Sequence, residues 1–227
     1  MNTRISRGVA VAIASFGLVC GASAAPTLVS VPTATLDQYV GAYKYSDHTV
    51  VRVTREGDHL KAHFTGEAQG TGIYPQSTNE FFYLGIGLDA SLEFEAQRAV
   101  LKQNGERTSM ARIDEQTAAQ IEQAVADRVA SQAANPRSEA ALQSLIEDIR
   151  NGRIDEELLA PQLVGALNKD LAKLQVRLAE LGPAVDVTFS GVNAAGGDEY
   201  QVSHIHGVSD WSVVVDDRGV ITGATIP

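Results

Sequence analysis

A chain of 227 residues is long enough for one or two domains, and with 44% hydrophobic and 20% charged residues it has an ordinary globular composition. Its 28 acidic residues outnumber 18 basic ones, and a formal net charge of −10 repels nucleic acid and anionic lipid, so neither is an expected partner. A single cysteine, Cys20, excludes an intramolecular disulfide framework.

At the N-terminus, Arg4 and Arg7 precede an apolar run from Val9 to Cys20, about a dozen residues and too short to span a bilayer comfortably. Ala22-Ser23-Ala24 then supplies a small-x-small cleavage pattern. Residues 1–25 therefore read as a secretory signal peptide, cut near Ala24-Ala25. The mature chain is expected in the periplasm or outside the cell, with no stable membrane anchor. A lipid anchor on Cys20 fits poorly, because Val19 stands directly before it and Gly17 lies three positions before it. Loss of both signal arginines takes the net charge to about −12, two below that of the whole sequence. Residues 26–37, rich in proline and threonine, read as a short mobile leader.

Residues 38–113 carry an all-β pattern. Expected strands are 39–45, 49–54, 59–65, 71–75, 80–84, 90–95, 99–103 and 107–113. Gly57-Asp58, Gly66, Gly70 with Gly72, Thr78-Asn79, Gly87 and Asn104-Gly105 separate them, and Asn-Gly between apolar runs is a strong hairpin signal. Val51 and Val53, then Leu60, Ala62 and Phe64, then Leu92 and Phe94 alternate toward one buried face. So many short strands close most economically into a small barrel, which removes the edges.

The succession LDQYVGAYKY, VVRVTREGDHLKAHFTG, IYPQSTNEFFYL, LEFE and VLKQNG resembles a small lipocalin-like domain. Such a domain follows the catalytic domain in many β-lactamase-related serine hydrolases of the penicillin-binding and S12-peptidase type. The resemblance implies a fold and no activity, because the domain is an accessory part of those enzymes.

Residues 114–137 read as a helical linker. Asp114 is its expected cap, and Ile121, Val125 and Val129 form a thin apolar stripe. The stripe suits a partner groove, self-association or packing between the chain's own modules. Residues 138–227 read as an α+β module. Ser138 is the expected N-cap of a helix with Leu142, Leu145, Ile146 and Ile149 on one face, stopped by Gly152. A short helix is expected from Asp155 to Leu159. A longer one opens at Pro161, turns Leu163, Leu167, Leu171, Leu174, Leu178 and Leu181 inward, and ends at Gly182-Pro183. Strands are expected over 185–190, 199–206, 210–216 and 220–226, with Trp211, Val213 and Val215 facing the helices. The stretch SLIEDIRNGRIDEELLAPQL through DEYQVSHIHGVSDWSVVVDDRGVITGATI resembles a further accessory segment of the same hydrolases and, more distantly, a short NTF2-like cone. The overall expectation is an α+β chain: lipocalin-like up-and-down barrel, helical linker, then helices on an antiparallel sheet.

The hydrolases it resembles act through Ser-x-x-Lys, Tyr-x-Asn and His-x-Gly, in which an acylated serine is served by lysine or tyrosine. No serine here has lysine three residues on; Ser109 has Arg112 there, and a guanidinium is no general base. No Gly-x-Ser-x-Gly elbow exists either. No catalytic residue is assigned and no cofactor is expected. His204 and His206, placed on one face of an expected strand, are the foremost metal-ligand candidates, followed by His59 and His63; neither pair has a third ligand beside it in sequence. The acidic pairs Glu93/Glu95 and Asp198/Glu199 read as surface charge, and Asp216-Asp217-Arg218-Gly219 as a turn lacking calcium-loop spacing. Tyr39, Tyr43, Phe81 and Tyr83 are candidate ligand-binding residues of the barrel, against the plainer reading that they fill its core. The functional expectation is a non-catalytic exported accessory protein that docks to a serine hydrolase or other envelope protein, or self-associates. The alternatives are a barrel holding a small apolar or peptide ligand, and a metal-dependent enzyme using His204 and His206.

Overall fold

The computed structural model describes residues 28–83, 90–103 and 105–226. The expected signal peptide with Cys20, its cleavage site, the last residue of the expected strand 80–84, Leu84, and the turn positions Gly87 and Asn104 lie outside the described residues. Two compact units divide inside one helix, between Val125 and Ala126.

In the first unit, helix α1 (Thr33–Tyr39) precedes eight antiparallel strands: β1 (Gly41–Ser46), β2 (Thr49–Glu56), β3 (His59–Phe64), β4 (Thr71–Pro75), β5 (Glu80–Tyr83), β6 (Ala90–Glu95), β7 (Arg98–Gln103) and β8 (Glu106–Ile113). Each pairs with the next, and β1 pairs with β8 through Ala42–Ile113, Tyr43–Arg112 and Lys44–Ala111, which closes the barrel. Closure satisfies every strand's ladder and leaves no free edge. Alternation sends Val51, Val53, Leu60, Ala62, Ile73, Phe81, Leu92, Phe94 and Met110 inward, and all are buried. Gly57 turns the β2–β3 hairpin at φ 65°, open to glycine without strain.

The leader expectation is corrected. Residues 33–39 form α1, whose Leu36 is fully buried, and Val31 before it is buried too. Tyr39 therefore closes a helix and does not open a strand. Arg112 fastens this end of the barrel by donating to the carbonyls of Gln38 (2.9 Å) and Val40 (2.5 Å). A Cβ at Gly41, where φ is 155°, would lie 3.0 Å from that guanidinium, so the crossing requires glycine.

Helix α2 (Glu115–Ser131) is capped as expected: Asp114 accepts from the Thr117 N–H at 2.8 Å. Ala118 is buried with Ala42 and Val50 of the barrel's outer face, and Ile121 packs on the same group. The first member of the apolar stripe is thus used inside the chain. Arg52 on β2 holds the helix by a two-pronged ion pair to Glu122 (2.6 and 2.9 Å) and a bond to Glu115 (2.6 Å).

The second unit contains the end of α2, α3 (Ser138–Asn151), α4 (Pro161–Leu181) and four strands: β9 (Ala184–Val192), β10 (Asp198–His204), β11 (Gly207–Val215) and β12 (Ile221–Thr225). The sheet runs β12-β11-β10-β9, antiparallel throughout. Leu142, Leu145, Ile146 and Ile149 of α3 with Leu167, Leu174 and Leu178 of α4 pack on Tyr200, Val202, Trp211, Val213, Val215 and Ile221 of the sheet. This is the α+β layering that the two hydrophobic periods imply. Gly152 stops α3 in the left-handed region, and Pro161 opens α4.

Two local expectations are corrected here. Ser138 is not the N-cap; it is the first helical residue and its side chain makes no cap bond. Its fully buried hydroxyl instead donates to the Asn135 carbonyl and takes a 2.6 Å bond from the Tyr200 hydroxyl. The donor assignment follows because a carbonyl only accepts, so the serine proton is already used. Residues 155–159 form a turn and not a helix, and Leu159 makes a parallel bridge to Ile221. Ala160 N–H to Ile221 O (2.9 Å) and Ile221 N–H to Leu158 O (2.8 Å) cover part of the β12 edge.

Candidate functional site

The barrel interior has two different ends. Near α1, four rings form one cluster. Phe94 stacks on Tyr39 (centroids 4.7 Å apart), meets Phe81 edge-on (5.5 Å) and leans on Tyr43 (5.7 Å). Tyr39 also meets Phe81 edge-on at 5.7 Å. The polar tips are engaged: Tyr43 donates to Tyr39 O (2.9 Å) and Tyr39 to Thr78 O (3.1 Å). Tyr43 and Phe81 are fully buried. Three of the four candidate ligand-binding aromatics therefore belong to one packed, hydrogen-bonded cluster.

Tyr83, the fourth, sits apart from them. It shares the inward face of β5 with Phe81, while Phe82 between them faces Tyr74 (6.5 Å). At this opposite end Tyr45 meets Phe64 edge-on at 5.9 Å. The Glu67 carboxylate turns back to accept from the Phe64 N–H at 3.0 Å. Burial pushes the Glu67 carboxyl above the ordinary range, against the lowering effect of that N–H and of His63. Burial, reinforced by the negative charge of Glu67, pushes the Tyr83 phenol up strongly. The Tyr83 hydroxyl is shielded from solvent and has no hydrogen-bond partner among the described residues. A buried hydroxyl left unpaired is costly, so this one stands out from the satisfied hydroxyls of Tyr39, Tyr43 and Tyr200. Sequence reasoning did not single out Glu67; a glutamate in a Gly-flanked connection carries no signal of burial.

The Glu67 shift fixes a pH dependence. Its folded pKa lies above the unfolded value of about 4.3, so the folded state binds the extra proton and is favoured by it. Its contribution is fully present below the unfolded pKa and is lost as pH rises through the folded one. Urea titrations across this range should show wild type losing stability relative to Glu67→Gln as pH increases. A difference independent of pH would contradict the burial of this carboxyl.

The histidine expectation is corrected. Strand β10 ends at His204, and Ile205-His206 form the two-residue turn into β11, with His204 opposite Gly207. The rings therefore do not share a strand face. His204 is 6% exposed and bonded at both nitrogens: Nδ1–H donates to Gly182 O (3.1 Å), and Nε2 shares a hydrogen bond with the Ser209 hydroxyl (2.8 Å). The same Ser209 oxygen accepts from Trp211 Nε1 at 2.7 Å. The carbonyl can only accept, so Nδ1 carries a proton. Trp211, Ser209, His204 and Gly182 thus form one satisfied chain inside the unit, while His206 is exposed. Among the described residues no group of three His, Cys, Asp or Glu is placed to hold a metal. His204→Ala should cost about 1–3 kcal/mol, since two buried polar groups lose a partner, and His206→Ala should cost little. Equal thermal effects of the two changes would contradict this assignment.

The remaining candidates are placed as follows. His59 stacks on Tyr74 (4.6 Å) and meets the Asp58 carboxylate (3.2 Å). His63 Nε2 donates to the Glu67 carbonyl. Both lie on the outer face of β3. Glu93 pairs with Lys102 (3.2 Å) and Arg107 (3.0 Å), and Glu95 with Arg98 (2.6 Å). Asp198 is buried against Arg128, whereas its neighbour Glu199 is exposed. Asp216 accepts from the N–H groups of Arg218 and Val220 and from the Arg218 guanidinium, which makes its segment a turn. Ser109 is exposed on β8, and Arg112 is engaged with backbone carbonyls.

A family model described as a domain of unknown function, DUF3471, matches residues 25–121. The matched segment contains α1, the eight barrel strands and the first turns of α2. No curated protein matches the chain.

Proposed function

We propose that the protein is a non-catalytic accessory protein of the cell envelope, exported by its N-terminal signal, that docks to a serine hydrolase or another envelope protein. The carrying observation is the packed aromatic cluster of Tyr39, Tyr43, Phe81 and Phe94, to which α1 contributes Tyr39. Rings that pack on one another and hydrogen-bond at their tips suit a scaffold better than a ligand site. The resemblance of the sequences LDQYVGAYKY through VLKQNG and SLIEDIRNGRIDEELLAPQL through GVITGATI to accessory segments of β-lactamase-related hydrolases supports the reading. The histidine candidates are compatible with it, because His204 serves the internal hydrogen-bond chain.

The test is crosslinked affinity capture from the native envelope, followed by labelling of the captured proteins with a fluorophosphonate and a fluorescent penicillin. The expected result is one specifically enriched, probe-reactive protein. Turnover of nitrocefin, p-nitrophenyl esters or D-amino-acid peptides by the purified chain itself, abolished by one Ser→Ala change, would overturn the proposal.

A further inference from the structure

We propose that the outer edge of β9 takes up an extended, lysine- or arginine-bearing segment of the docking partner as an added strand of the sheet. The proposal rests on the docking function above and says where the chain grips and what it grips. The two edges of the four-stranded sheet differ. On the β12 side, Leu158 and Ala160 bond to both backbone groups of Ile221. On the β9 side, the Gln132 side chain takes the place of a neighbouring strand at one residue. Its amide nitrogen donates to Val192 O and its oxygen accepts from the Val192 N–H, both at 3.0 Å. From Ala184 to Ser190, no backbone group bonds outside the sheet among the described residues. This stretch is an open template for strand addition.

Register shifts beside Asp186 and Phe189 bound its regular part, residues 186–189. That length suffices, since β3–β4, β4–β5 and β5–β6 each hold on three cross-strand pairs. The two faces of the stretch set the chemistry of the incoming strand. Toward the helices, Val187 and Phe189 pack on the core yet stay half-buried, whereas Tyr200 and Val202 beside them are buried. Apolar residues at alternate positions of an added strand would complete their cover. On the opposite face Asp186 and Thr188 are exposed, and none of the four strands carries a lysine or arginine. Asp186 accepts from the Thr188 hydroxyl at 2.7 Å and forms no ion pair among the described residues. A cation directly across from it is favoured, and an anion is penalised. A second copy is the wrong occupant. Pairing β9 with itself about Val187 sets the two Asp186 side chains on one diagonal, about 7–8 Å apart, and brings together two chains that each carry a net charge of −10.

The test titrates the purified chain with an end-blocked, fluorescein-labelled peptide Lys-Val-Lys-Val-Lys-Val-Lys, read by fluorescence anisotropy in about 0.15 M salt, where exposed charge alone is screened. One control replaces every lysine by glutamate. The other replaces the central valine by proline, which keeps the charge and breaks the ladder. The lysine–valine peptide should saturate the protein about tenfold more tightly than either control. The amide NMR shifts it causes should centre on residues 186–189. Asp186→Asn should weaken it severalfold at an unchanged melting temperature, because the side chain is exposed. Equal binding of either control, shifts centred elsewhere, undiminished binding by Asp186→Asn, or no saturation at millimolar peptide would each overturn the proposal. So would a dimer whose contact protects the β9 amides from hydrogen exchange, since it would give the edge to a second copy. Affinity capture from the envelope reads the docking function separately. A captured hydrolase without peptide binding overturns the edge site alone, whereas peptide binding without a captured protein upholds the edge site and removes the docking function.

Discussion

Replacing Asp198 by alanine should destabilise the second unit by about 3–5 kcal/mol, the range for removing one partner of a buried ion pair. Asp198 is 1% exposed at the start of β10. One carboxylate oxygen takes Arg128 Nη2 at 2.5 Å and the other takes the Asn135 N–H at 2.9 Å. Arg128 also donates Nε to Gly196 O at 2.9 Å. One acidic side chain therefore ties the end of α2 and the segment before α3 to the first residue of a core strand. Truncation leaves donors facing an empty site. Asparagine fails too, because its amide turns one NH2 toward a donor on one side or the other. Arg128→Ala should cost a comparable amount by leaving the carboxylate buried alone. The double variant should cost less than the sum, since the two share one interaction. Trp211, the single tryptophan, is buried in this unit and reports its unfolding by fluorescence in urea. A midpoint unchanged in Asp198→Ala would show that the latch carries no net stability.

The barrel was legible in the sequence because its signals are local and agree with one another. Alternation in HLKAHF and ASLEFE gives the inward face, and Gly57-Asp58 gives the turn between β2 and β3. The helices of the second unit were legible for the same reason: leucines at helical spacing, a proline at the start and glycines at the ends. Helix α1 was hidden, since TATLDQY offers a single apolar anchor, Leu36, and no repeat of it. The turn at Ile205-His206 was hidden because neither residue has positive φ, so nothing in its chemistry marks it. Reading Gly207 as the turn carried β10 two residues too far and set His206 on a strand face. The candidate site was the least legible part. Tyr39, Tyr43, Phe81 and Tyr83 are one composition in the sequence, and only tertiary packing separates three satisfied rings from one unpaired hydroxyl.

That separation has a measurable consequence at Phe94, the ring that contacts Tyr39, Tyr43 and Phe81 together. Phe94→Ala should destabilise the barrel by about 3–5 kcal/mol, the cost of removing a buried aromatic and leaving a partly relaxed cavity. In a unit of this size that is a fall in melting temperature of about 12 °C or more. Phe94→Leu should cost less, because the smaller void closes more readily. Near-UV circular dichroism reads the result, as five of the six tyrosines lie in the barrel unit. The magnitude decides what the cluster is for. Side chains held open for a ligand sacrifice stability, so their truncation is cheap or even favourable. Side chains that fill a core are expensive to truncate. A loss below about 1 kcal/mol for Phe94→Ala would reassign Tyr39, Tyr43 and Phe81 to a pocket and remove the packed scaffold on which the docking proposal rests.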